Sequence, residues 1–213
     1  MNLDTVTLWE TAHNVLEYEQ LCYEDFKKNG TSRYGSYKIV GNIDIPFNYS
    51  DEEWDSLVDT NRGLVKTSGD NDLKSGSVDR FKRAGYNETN ALMPTIMDTE
   101  FSTHFQDFVK DAGLRHWYSR IHVQRPGQMV PSHVDTMRTW SLMFPEIAKT
   151  KTHSEVPRFL VLLSDWEVGH FFSVGDQPVI WKKGDIMTCD HRMPHATANA
   201  GFSNKIIALI EGC

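Results

Sequence analysis

The chain is poor in the features that would commit it to a membrane, to a nucleic acid or to a disulfide framework. No window approaches roughly 18 consecutive apolar residues, so no segment reads as a transmembrane helix. Lys and Arg number 22 against 29 Asp and Glu, and the net charge of -7 excludes a protein that coats nucleic acid through an overall basic surface. There are three cysteines, Cys22, Cys189 and Cys213, with no Cys-x-x-Cys among them. That excludes the common zinc and dithiol spacings and predicts free thiols in a reducing compartment. The first residues, Met-Asn-Leu-Asp-Thr, lack the basic-then-apolar order of a signal peptide, so the expected location is cytoplasmic. One local basic stretch, residues 62–83, holds Arg62, Lys66, Lys74, Arg80, Lys82 and Arg83 beside three aspartates. Mixed charge with Gly and Ser reads as a solvated loop, and nucleic acid is disfavoured as a partner.

What is present is a core. Of 213 residues, 39% are hydrophobic, which suffices for one large domain spanning 1–213. Residues 1–113 read as helices, strands and a long loop packing on a core formed by 114–213. Residues 5–28 carry apolar side chains at helical spacing, and residues 34–47 suit a strand broken at Gly41 and closed by Pro46. Ser50 and Glu53 form a capping box that opens a helix carrying Trp54. Residues 61–90 read as a loop. Phe101, Phe105, Phe108 and Val109 share a helical face that ends at Gly113.

After Gly113 the pattern becomes strand-like. In 114–124 one parity holds Tyr118, Arg120, His122 and Gln124, a polar row that faces either solvent or a polar cavity inside a barrel. Further strands are expected over 129–134, 158–164, 167–174, 178–181, 185–189, 195–199 and 205–210. Eight short strands with flanking helices predict a mainly β double-stranded β-helix, a cupin-like jelly roll.

The chemistry gathers at Arg125-Pro-Gly-Gln-Met-Val-Pro-Ser-His133-Val-Asp135. In an extended chain residues i and i+2 point to one side, so His133 and Asp135 offer an imidazole nitrogen and a carboxylate oxygen to one ion. A second histidine completes the two-histidine, one-carboxylate set of non-haem Fe(II) oxygenases. Of nine histidines, His195 is preferred because it opens a strand whose parity also carries Thr197 and Asn199, with 185–189 expected to run antiparallel beside it. His191 is its rival, and His153-Ser-Glu155 repeats the spacing in a polar, loop-like setting. Residues 136–156 interrupt the strands directly after the ligands and are a candidate lid, with Trp140, Met143 and Phe144 either covering a substrate or tucked into a core. Lys205, ten residues after His195, shares a face with Ile207 and Leu209. A buried ammonium there calls for an anion, unless the side chain reaches water.

These residues resemble the Fe(II)/2-oxoglutarate-dependent dioxygenases, which carry His-x-Asp, a distal histidine and a basic residue about ten positions later. The likeness spans residues 115–212. It is nearest the aspartyl/asparaginyl β-hydroxylase-like branch through Pro126-Gly127, Arg158, Trp181-Lys-Lys-Gly184-Asp185, Asp190 before His195, and Asn199. That branch often lacks the carboxylate ligand and usually has arginine where this chain has Lys205. The resemblance implies metal ligands His133, Asp135 and His195. It also implies a 2-oxoglutarate pocket drawn from Lys205, Arg158, His122, Gln124, Thr197 and Asn199. With O2, the implied activity is hydroxylation of a C–H bond in a small molecule, amino acid or peptide side chain. A cupin-like metal enzyme that uses no 2-oxoglutarate and a non-catalytic jelly-roll binding protein are the alternatives.

Overall fold

The computed structural model describes residues 2–30, 37–63, 81–87, 89–97 and 100–213. Most of the 62–83 basic stretch and of the expected 61–90 loop falls outside them, as do Tyr34, Ser36 and Thr99. Helices α1 (Leu8–His13) and α2 (Val15–Asn29) open the chain, followed by β1 (Lys38–Asn42), α3 (Asp51–Leu57), β2 (Thr60–Gly63) and β3 (Leu92–Ile96). The Ser50/Glu53 capping box is formed, and Trp54 is buried. A 3-10 turn, Glu100–Phe105, leads into α4 (Gln106–Asp111), with Phe101, Phe105 and Val109 buried and Gly113 at φ 73° ending the run.

The remaining strands are β4 (Trp117–Gln124), β5 (Met129–His133), β6 (Arg158–Leu162), β7 (His170–Val174), β8 (Gln177–Pro178), β9 (Asp185–Thr188), β10 (His195–Asn199) and β11 (Lys205–Gly212). Between β5 and β6 lie α5 (Arg138–Met143), α6 (Pro145–Ala148) and a 3-10 turn at His153–Glu155. One sheet runs β1-β9-β6-β11-β4-β3-β2 and the other β5-β10-β7-β8, and their strand pairings are antiparallel. From β4 onward, strands pass between the two sheets except at the β7–β8 hairpin, which is the winding of a jelly-roll double-stranded β-helix.

All eight residues of β11 are buried, because the strand is central and covered on both faces. Ile206, Ala208 and Ile210 join Trp54, Phe101, Phe105 and Val109 in a cluster under the helices. Ile207 and Leu209 face the other way and pack between the sheets with Leu160, Leu162, Phe172, Val174 and Met187. This inner row begins at Lys205 and ends at Glu211. Across it, β4 sets Gln124 opposite Lys205, His122 opposite Ile207, Arg120 opposite Leu209 and Tyr118 opposite Glu211. The polar parity of β4 therefore faces the barrel interior.

Two expectations are corrected. The 185–189 strand does not pair with β10: β9 lies between β1 and β6 in the other sheet, and the partners of β10 are β5 and β7. The 178–181 strand shrinks to an edge pair ending at Pro178, which has no N–H to extend a ladder. Of the two fates open to Trp140, core packing is the one observed. Fully buried, it packs with Leu8, Tyr118, Met137, Ala148 and Val156 and donates its indole N–H to His116 O at 2.9 Å, while Met143 is half exposed. No helix among the described residues is long and apolar enough to cross a membrane.

Candidate metal centre

His133 and His195 are direct register partners across β5 and β10, and their ring centroids lie 4.3 Å apart. Asp135 stands just past the end of β5, where its backbone N–H donates to His191 O at 3.0 Å. Ligating atoms of His133, Asp135 and His195 all lie within 4.8 Å of one another. Each histidine is oriented in the same way, with Nδ1 2.8 Å from Pro131 O for His133 and 2.9 Å from Met193 O for His195. A carbonyl only accepts, so both Nδ1 atoms carry a proton, and in the neutral ring this tautomer leaves the lone pair on Nε2.

Those lone pairs point at a carboxylate. His133 Nε2 is 3.6 Å from Asp135 Oδ1, and His195 Nε2 is 3.0 Å from Asp135 Oδ2. Burial draws the His195 pKa down to about 4, with Arg158 adding to the effect and the Met193 carbonyl opposing it, so the ring is neutral at physiological pH. Three electron-pair donors facing one another repel unless a cation lies among them. Two neutral imidazoles and a carboxylate suit Fe(II), and their spacing fits one ion.

Behind Asp135 stands a buried charge network. Arg158 bonds Asp135 through one nitrogen and Glu211 through the other. Glu211 also accepts from the Tyr118 hydroxyl at 2.5 Å, and Arg120 Nη2 is 3.9 Å from its Oε1. Burial pushes the Glu211 pKa up, but Arg158, Arg120 and Tyr118 together hold it below its ordinary value. Arg158, expected to meet a co-substrate or substrate carboxylate, is thus turned to the chain's own carboxylates, because two of them converge on its buried guanidinium. Glu211, Tyr118 and Arg120 were not singled out by sequence. Extending the Lys205, Ile207, Leu209 parity by one step reaches Glu211, and the polar row of β4 supplies the other two.

Lys205 is fully buried and does not reach water. Its ammonium donates to Phe171 O at 2.7 Å, Ala198 O at 2.7 Å and Thr197 Oγ1 at 2.6 Å, and no carboxylate among the described residues pairs with it. Burial lowers its pKa to about 7. Lys205, Thr197, Gln124 and His122 line one cavity of about 40 Å³ with Leu160, Phe172 and Ile207. Asn199 is not in this lining. Its amide donates to Gln124 O and Ser203 O and accepts from Gly201 N–H, so it clamps the turn before β11.

The rival histidines form a separate pair. His191 Nε2 and His153 Nδ1 are 2.5 Å apart in the core, and His153 Nε2 meets Thr11 Oγ1 at 3.1 Å. Glu155 is turned outward to cap its own 3-10 turn, so His153 and Glu155 do not converge as ligands.

No family model and no curated protein matches the chain. Among solved structures it is similar to the viral collagen prolyl hydroxylase of Paramecium Bursaria Chlorella virus-1, solved as its 2OG complex. The identity is 14%, over 85% of this chain and 98% of that one, with a TM-score of 0.42. A 2OG-Fe(II) oxygenase family oxidoreductase from Burkholderia pseudomallei is 10% identical over 53% of each chain, with a TM-score of 0.35. A RmlC-like cupin family protein from Methanocaldococcus jannaschii is 13% identical over 46% of this chain and 70% of that one, with a TM-score of 0.32.

Proposed function

We propose that the protein is an Fe(II)- and 2-oxoglutarate-dependent dioxygenase that hydroxylates a C–H bond of a small molecule, amino acid or peptide side chain. The observation that carries this reading is the convergence of His133 Nε2, His195 Nε2 and an Asp135 oxygen, with both imidazoles held in the ligating tautomer by backbone carbonyls. When bound, Fe(II) with 2-oxoglutarate and O2 supplies oxidative decarboxylation to succinate and CO2, coupled to substrate hydroxylation.

The chain's residues do the positioning. His133, Asp135 and His195 would hold the metal. Arg158 fixes the Asp135 carboxylate against rotation. Lys205 borders the neighbouring cavity with no protein carboxylate among the described residues paired to it, which suits the far carboxylate of 2-oxoglutarate. Thr197, Gln124 and His122 add polar groups to that cavity, while Leu160, Phe172 and Ile207 keep water out. The resemblance to the aspartyl/asparaginyl β-hydroxylase-like branch rests on sequence motifs alone.

The test is succinate formation when anaerobic protein with Fe(II) and 2-oxoglutarate is exposed to air. Absence of succinate, with no spectral change on adding 2-oxoglutarate, would sink the proposal. A second reading, a cupin-like metal enzyme that uses no 2-oxoglutarate, is favoured by one observation: the three N–H bonds of Lys205 are already accepted by the protein. Lys205→Ala separates the two. Metal binding survives in both, and only the dioxygenase loses 2-oxoglutarate affinity.

A further inference from the structure

We infer that Arg120 is a substrate-binding residue that receives a carboxylate, so that the substrate is a small carboxylic acid or a peptide's free C-terminus. This rests on the dioxygenase reading above and adds the substrate's chemical class. Arg120 is more than nine-tenths buried, on the inward face of β4, two residues before His122 of the cavity. Its own hydrogen bonding is poor. Nη1 lies 3.4 Å from Thr139 Oγ1, Nη2 is 3.9 Å from Glu211, and the buried Nε has no partner among the described residues. The Glu211 oxygen nearest to it is already bonded to Arg158. A guanidinium presents five donors in a fork that matches a carboxylate, and this one leaves most of them unused.

The contrast with Lys205 assigns the two anions. The Lys205 donors are filled, so that residue contributes charge; the Arg120 donors are open, so it contributes a directed pair of hydrogen bonds. Arg120 is linked to Asp135 through Glu211 and Arg158.

The test uses the full chain loaded with Mn(II) and saturated with 2-oxoglutarate. Free L-amino acids and short peptides with free C-termini are screened by melting temperature, each beside its carboxamide. At least one acid raises the melting temperature and its carboxamide does not. Whether that acid is a free amino acid or a peptide distinguishes the two sources. R120Q then weakens the same acid at least about tenfold while its 2-oxoglutarate Kd stays within about twofold of the parent. R120K keeps the charge without the fork and is intermediate, and T139V, which removes the hydroxyl beside Nη1, shows a smaller loss. These milder variants carry the test if R120Q does not fold. The inference is overturned if acid and carboxamide act alike, if no acid shifts the parent, or if R120Q leaves the acid's affinity intact. It is also overturned if R120Q weakens 2-oxoglutarate instead, which gives the arginine to the co-substrate. Failure of the parent to bind 2-oxoglutarate defeats the dioxygenase reading separately, and the acid-against-carboxamide comparison on the Mn(II) protein alone still decides the role of Arg120.

Discussion

His133 and His195 face each other as antiparallel register partners, and each donates Nδ1–H to the carbonyl two residues before it. Two strands thereby present two identically oriented Nε2 lone pairs to one point, with Asp135 completing the set. Backbone carbonyls orient the two imidazoles, and the Arg158 side chain holds the Asp135 carboxylate.

Metal binding therefore depends on the three side chains together. His133→Ala, Asp135→Ala and His195→Ala each reduce Mn(II) stoichiometry to near zero by calorimetric titration. For the parent, Mn(II) at about 100 times its Kd adds about 2.7 kcal/mol of stability. That raises the melting temperature by roughly 5–10 °C, and a chelator reverses the shift.

Glu211 is the counterion of two buried arginines. Glu211→Ala leaves Arg158 and Arg120 without it and costs about 3–5 kcal/mol of stability. Tyr118→Phe removes one hydrogen bond to that carboxylate and costs about 1.5–3 kcal/mol. The double variant falls short of the sum, as chemical denaturation of all four proteins would reveal.

Lys205 gives stability a pH dependence of definite sign. Burial holds its folded pKa at about 7, against an unfolded value near 10.4. Between these values the unfolded chain binds more protons, so this group's contribution to stability rises with pH from about 7 to about 10. Lys205→Met removes that slope in denaturation curves taken across the range. In the dioxygenase reading, 2-oxoglutarate needs the charged ammonium. Its Kd then increases above about pH 7, and binding takes up a proton, detectable by calorimetry in buffers of different ionisation enthalpy.

Asn199 separates folding from function. Asn199→Ala removes the acceptor of the Gly201 N–H and the Asn199 donor to the Gln124 and Ser203 carbonyls, and costs about 1–3 kcal/mol. Its Mn(II) affinity stays within about twofold of the parent. A loss of 2-oxoglutarate binding in folded Asn199→Ala would return the residue to the co-substrate pocket.

Period-two parity made the Lys205 row legible in sequence, since it is a property of each strand alone. The candidate ligands His133 and Asp135 were read from their spacing together with His195 and Lys205 downstream, Lys205 from its parity with Ile207 and Leu209, and Ser50 and Glu53 from the local capping pattern. Sheet membership was not legible. The sequence suggested that 185–189 would pair with its neighbour at 195–199, yet the winding sends β9 and β10 to different sheets. Partners of long side chains were hidden for the same reason. Arg158 meets Asp135 and Glu211, Trp140 meets His116, and Arg120 meets Thr139, contacts between segments that only barrel closure brings together. Local periodicity determined which residues face inward, and long-range packing decided what each of them meets there.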